Sequence, residues 1–252
     1  MTLSLLMAAF LFAGGAAAGW IDSIAGGGGL ITIPLLLWVG LPPGLALGTN
    51  KFQSSFGSFT AARHYTREGV VTVRDALPGV LFTLAGAAAG CICVQLIAGD
   101  VMSGIIPFLL LAIAVYLLFT PSLGHREARP RFSRMVFYSL FGLALGFYDG
   151  FFGPGVGSFW AIAFVFGLGF DLRKATGYTK VMNFTSNIVS CVIFVAGGNV
   201  LFGAGLAMGL GEIAGAAVGS RMVVRRGVKF IRPIFVTMVI ATTLKLLYNR
   251  FF

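Results

Sequence analysis

Ten apolar segments run the length of this 252-residue chain, at about 3–25, 29–41, 45–62, 76–98, 102–120, 135–152, 156–169, 175–196, 202–220 and 231–249. A helix needs ~20 apolar residues to cross the ~30 Å hydrocarbon layer of a bilayer. With 58% hydrophobic and 10% charged residues, the chain cannot furnish the surface of a soluble domain, which is nearer ~45–50% apolar and ~25% charged. The expectation is an all-α polytopic membrane protein forming one integral membrane domain. Glycine, at 36 residues, suits helices that approach closely in lipid. Segments 29–41 and 156–169 are short for a crossing at ~1.5 Å per residue and read as broken or re-entrant half-helices. Residues 5–18 look like the apolar part of a signal peptide, but the first basic residue is Lys51. A signal peptide opens with basic residues, so residues 1–25 are expected to stay as a membrane segment.

The chain also matches itself. Trp20-Ile21-Asp22-Ser23, followed by Gly26, Gly28 and Gly40, reappears 127 residues later as Phe147-Tyr148-Asp149-Gly150 with Gly153, Gly155 and Gly167. At an offset of 129, Ala46-Leu47-Gly48-Thr49-Asn50-Lys51 meets Ala175-Thr176-Gly177-Tyr178-Thr179-Lys180. Two membrane acids and two membrane lysines fall into register. The division is a membrane repeat at 1–121, a cytoplasmic linker at 122–134 and a second repeat at 135–252.

Basic residues orient these repeats. Segments 63–75, 121–134, 171–174 and 221–232 hold three, four, two and five Lys or Arg, whereas the turns near 41–45, 99–102, 153–157 and 197–203 hold none. Cytoplasmic loops collect Lys and Arg. Equivalent loops swap sides, so the repeats are expected to be inverted, with both termini outside. Arg250 is a mild exception. Inverted repeats are a recurring plan of secondary transporters, with the site near the midplane between them. An anion channel is the alternative. The net charge of +10 is read as loop charge, not as a nucleic-acid surface, because no basic helix or aromatic-interleaved basic run accompanies it. Cys91, Cys93 and Cys191 have no metal-ligand spacing, and His64 and His125 lie far apart in loops. No metal or cofactor is expected.

The chemistry gathers at the repeats. Gly26-Gly27-Gly28-Gly29 and Gly153-Pro154-Gly155-Val156-Gly157 break helix, at ~1 kcal/mol per Gly and ~3 for Pro. Each break precedes a helix whose first N–H groups can take an anion, which marks Gly28, Gly29 and Gly155. Lys51 and Lys180 are costly in lipid at ~2.5–3.5 kcal/mol each and suit an oxyanion. Thr49, Asn50, Gln53, Thr179, Asn183 and Asn187 surround them with hydroxyls and amides. Asp22, Asp149 and Glu212 are assigned to charge balance or to coupling protons or Na⁺, with Asp22/Lys51 and Asp149/Lys180 pairing within each repeat. No Gly-x₄-Gly-Lys loop for nucleotide occurs, so ion gradients are the expected energy source. An aspartyl protease needs two carboxylates at close range and fits poorly here. The protein is not expected to be an enzyme.

Ile21-Asp22-Ser23-Ile24-Ala25-Gly26-Gly27-Gly28-Gly29, Gly48-Thr49-Asn50-Lys51, Tyr148-Asp149-Gly150-Phe151-Phe152-Gly153-Pro154-Gly155 and Thr179-Lys180-Val181-Met182-Asn183 together resemble the TauE/SafE-type permease family. The resemblance covers nearly the whole chain. It implies a multi-pass protein of the bacterial inner membrane that moves sulfite or an organosulfonate such as sulfoacetate, whereas the residues by themselves indicate only a small anion. Alternating access is the expected mechanism, with the lipid bilayer as surroundings and glycine-rich faces that permit a homodimer.

Overall fold

The computed structural model describes residues 4–97, 101–102, 104–106, 108–110, 112 and 128–226. Every regular element among them is helical. The expected segment 231–249, most of 102–120, the linker up to residue 127 with His125, and the basic stretch beyond residue 226 lie outside the described residues.

The first helix, α1, spans Leu5–Ala25, starts on a Ser4 side chain that accepts from the Met7 amide, and stops at Gly26 with φ 69°. It is followed by α2 (Gly29–Trp38), α3 (Pro43–Arg67) and α4 (Val73–Gln95). In the second half, α5 (Arg134–Phe137) runs through a π-helical turn, Tyr138–Gly142, into α6 (Leu143–Phe151). Then come α7 (Val156–Leu168), α8 (Leu172–Ala196) and α9 (Phe202–Arg226). Glycines at φ 69° and 81° close α1 and open α7, a left-handed region where a Cβ is strained. These bounds follow the apolar segments within a few residues.

Among the described residues, four helices are long and apolar enough to cross a membrane: Leu5–Ile24, Val73–Gln95, Leu172–Ala196 and Phe202–Val223. By contrast α2 and α7, at 10 and 13 residues, reach only ~15 and ~20 Å. At 25 residues, α3 has the length to cross but carries polar side chains on the face it buries. The sorting recurs on other helices, beside an apolar core. Thr49, Asn50, Lys51, Gln53, Lys180, Asn183, Ser186 and Glu212 are buried, while Leu77, Leu81, Leu84, Leu206, Leu210 and Val218 face outward. In lipid, polar groups gather in the bundle interior and apolar ones face the acyl chains.

Small residues set how the helices meet. Gly211 and Gly215 of α9 sit on the backbone of α1 around Phe12, Ala16 and Trp20. A Cβ on Gly19 of α1 would lie 2.8 Å from Glu212 Cα. The same construction recurs where α4 meets α6: a Cβ on Gly146 would lie 3.0 Å from Thr83 Cα, and one on Gly150 2.8 Å from Ala87 Cα. The first long helix of each half thus lies along the fourth of the other. Backbones this close gain dispersion contacts that lipid tails cannot supply. Beside them an aromatic cluster fills the second half, with Phe164 stacked on Phe170 at 5.6 Å and Phe170 against Tyr178 at 5.0 Å. The helices α3 and α8 cross at the centre, which brings their buried polar faces against both helix breaks.

Candidate anion site

Helical rotation sorts the polar residues of α3. Successive side chains turn by ~100°, so Asn50, Lys51 and Ser54 share one face and Thr49 and Gln53 share another. The first face meets a cavity of about 30 Å³, lined by Asp22, Asn50, Lys51, Ser54, Asp149, Asn183 and Asn187 and by the glycines of both breaks. At ~10–15 Å³ per water, it has room for a few waters. The two breaks touch beside it: a Cβ on Gly157 would lie 2.5 Å from Gly26 Cα, and Ser158 Oγ donates to the Gly26 carbonyl at 3.1 Å.

The ion pairs cross between the halves. Lys51 Nζ donates to Asp149 Oδ1 at 2.5 Å, and Lys180 Nζ to Asp22 Oδ2 at 2.9 Å. The pairing expected within each repeat is therefore corrected: α3 of the first half reaches the break of the second, and α8 of the second reaches that of the first. The break geometry explains this, because Lys51 Nζ sits directly over Gly153, 2.8 Å from a Cβ built there. Asn187 Oδ1 also accepts from Lys51 at 3.4 Å, and Ser186 donates to Asp149 Oδ2. Asp22 Oδ1 in turn accepts from the amides of Gly27 and Gly28 at 2.9 and 3.1 Å. Buried pairs need such further hydrogen bonds to offset desolvation, and here Lys51 and both carboxylates have them. The arrangement is a neutral cluster of two ammonium and two carboxylate groups, set against the starts of α2 and α7.

A family model described as sulfite exporter TauE/SafE matches residues 11–246. The chain belongs to the TauE/SafE family. It is similar to a "Probable membrane transporter protein" of Haemophilus influenzae, 44% identical over 250 residues, covering 99% of this chain and 98% of that one. It is also similar to "Probable membrane transporter protein ORF9" of Sinorhizobium sp, at 46% over 245 residues with coverages of 97% and 94%. A third relative is "Probable membrane transporter protein YfcA" of Escherichia coli K12, at 42% over 247 residues with coverages of 98% and 92%. No solved structure matches the chain.

Of the residues picked out in this TauE/SafE chain by sequence, Lys51, Asn50, Asn183, Asn187, Gly28, Gly29, Gly155, Asp22 and Asp149 line the cavity. Lys180 does not; it lies behind Asp22, fully buried. Thr49 points away, and its hydroxyl accepts from the Leu201 amide at 2.9 Å. At the equivalent place Tyr178 accepts from the Thr72 amide at 3.3 Å, so each tethers the start of the other half's fourth helix. Gln53 donates to Asn50 Oδ1 at 3.0 Å, which in turn accepts from Thr32 Oγ1 at 2.5 Å. The Thr179 hydroxyl is buried with no partner among the described residues. Glu212 lies off the cavity between Gly19 and Gly57 and beside Gln53. Sequence reasoning missed Ser54, Gly153, Gly157 and Ser186. Ser54 and Ser186 were available from the helical register, three residues from Lys51 and from Asn183.

Proposed function

We propose that this TauE/SafE protein is a multi-pass secondary transporter of the bacterial inner membrane that moves a small anion, sulfite or an organosulfonate such as sulfoacetate. The observation that carries the reading is the cavity at the meeting of the two helix breaks, with Lys51, Asp149 and Asp22 on its wall and two ion pairs that each join one half to the other. The exchange of partners between α1 and α9 and between α4 and α6 supports two inverted repeats, and the short α2 and α7 support re-entrant segments. Such an arrangement lets one half rock against the other around a fixed centre, opening it alternately to each side.

Charge accounting makes the mechanism specific. Lys51, Lys180, Asp22 and Asp149 sum to zero, so an entering anion leaves the low-dielectric centre with an uncompensated charge, which is costly. A proton on Asp149 removes that charge and frees the Lys51 ammonium for the solute. Anion and proton then move together. The cavity's small volume favours a compact inorganic oxyanion in the closed form, and an organosulfonate requires it to widen.

The test is sulfite and sulfoacetate flux in proteoliposomes, with and without an imposed proton gradient. Saturable, gradient-dependent flux is expected. Flux indifferent to the gradient indicates a uniporter or channel, and absence of flux for both anions overturns the sulfur-oxyanion assignment.

A further inference from the structure

The two breaks are built on equivalent residues, yet their amides end in different places. At the first, the Asp22 carboxylate collects Gly27 N–H, Gly28 N–H and the Lys180 ammonium. A carboxylate is itself a small planar oxyanion, and it sits where a helix start holds an anion. At the second break the residue matching Gly27 is Pro154, which has no N–H to donate. Asp149 turns instead to side chains, Lys51 and Ser186. The amides of Gly155 and Gly157 find no acceptor among the described residues, and both glycines line the cavity.

Two side chains converge on the same spot. Lys51 Nζ rests against Gly153. Asn183 is 4% exposed and lines the cavity, and its Oδ1 has no partner among the described residues. Its Nδ2 lies 3.2 Å from a Cβ built on Gly157. The orphaned Oδ1 is an acceptor, costly to bury unpaired and able to take the O–H of a protonated oxyanion, while Nδ2 beside Gly157 is placed to donate to an anionic oxygen. We infer that the second break, with Gly155, Gly157, Lys51 and Asn183, is the seat for one small oxyanion, while Asp22 is the chain's own anion filling the matching seat of the first break. The inference rests on the proposed function for the solute's class; the geometry of the seats stands apart from it. It makes the carrier asymmetric, with one solute per cycle, and gives Lys180 the task of holding Asp22.

The experiment uses the full-length protein in detergent, titrating sodium sulfite at fixed ionic strength and reading thermal unfolding, with chloride and sulfate alongside. A ligand that binds only the folded form raises the unfolding temperature in proportion to its occupancy. Wild type is expected to respond with one saturable rise, and Asn183→Leu to need roughly tenfold more sulfite or worse. Asp22→Asn takes the negative charge out of the first seat and leaves the buried Lys180 uncompensated, so its response to small anions should exceed that of wild type. The pair Asp22→Asn with Lys180→Gln removes both charges and should lose that excess while keeping the fold. A wild-type response in Asn183→Leu, or no excess in Asp22→Asn, overturns the assignment of seats. Flux on the same variants separates the two readings. An Asp22→Asn anion response without any sulfite flux in wild type keeps the seats and overturns the solute. Sulfite flux unchanged in Asn183→Leu keeps transport and overturns the seats.

Discussion

Lys51 and Asp149 lie 98 residues apart in the chain, and their side chains meet at 2.5 Å with 2% and 3% of their surface exposed. The contact joins α3 of one half to the break of the other, and Lys180–Asp22 repeats it in the opposite sense. Each half supplies the cation its partner's break requires, so neither break is charge-balanced without the other half.

Removing one member of the first pair should therefore be worse than removing both. Lys51→Gln and Asp149→Asn are each expected to cost about 3–5 kcal/mol, the range for stranding a buried charge. The double variant should recover much of that loss without regaining flux. Unfolding in detergent, run beside transport on all three variants, checks the pattern.

Thr49→Val separates structure from solute contact. The Thr49 hydroxyl accepts from the Leu201 amide, and an isosteric methyl leaves that partly buried N–H without this partner, at about 1 kcal/mol. The unfolding temperature should fall while the KM for the anion stays at its wild-type value. A raised KM with unchanged stability would restore Thr49 to the binding site.

The positions of the helices, of both breaks and of the four central charges were legible in the sequence, because apolar runs and a repeat of Asp, Gly-rich turn and Lys leave little freedom. The pairing was not legible. Which Asp faces which Lys depends on how the halves interleave, and that is set by contacts between helices such as Gly146 on Thr83, which no pattern along the chain reveals. Proximity in sequence also misled at Thr49 and Gln53. Each stands two residues from Lys51, and two residues on a helix turn a side chain through ~200°. Asn183 and Asn187, by contrast, are four apart on α8 and share the cavity wall.

Glu212 fills a space that exists only because residue 57 has no side chain. A Cβ on Gly57 would overlap Glu212 Oε2; the equivalent pair in the second half is Ser186 with Ala87. Gly57→Ser should destabilise the protein by about 1–3 kcal/mol, as overpacking does. Adding Glu212→Ala should return most of it. A double-mutant cycle on unfolding free energy measures the coupling, and strict additivity would contradict the packing.

Glu212 differs from Asp22 and Asp149 in having no cation within salt-bridge distance among the described residues. It lies beside Gln53, which donates to Asn50 of the cavity wall, and within the field of Asp22 and Lys180. With the coupling proton on Asp149, Glu212→Gln should leave the protein folded, the anion bound and flux still driven by an imposed proton gradient. Flux indifferent to the gradient in this variant would move the coupling proton to Glu212.

The central claim is that the anion passes over the second helix break beneath the Lys51 ammonium. Its most direct test is the initial rate of sulfite flux in proteoliposomes holding equal amounts of folded wild type and Lys51→Gln. The account predicts saturable flux from wild type and a rate reduced by at least about tenfold in the variant, the loss expected when a group contacting the solute in the rate-limiting state is removed. Equal rates from the two proteins would contradict it.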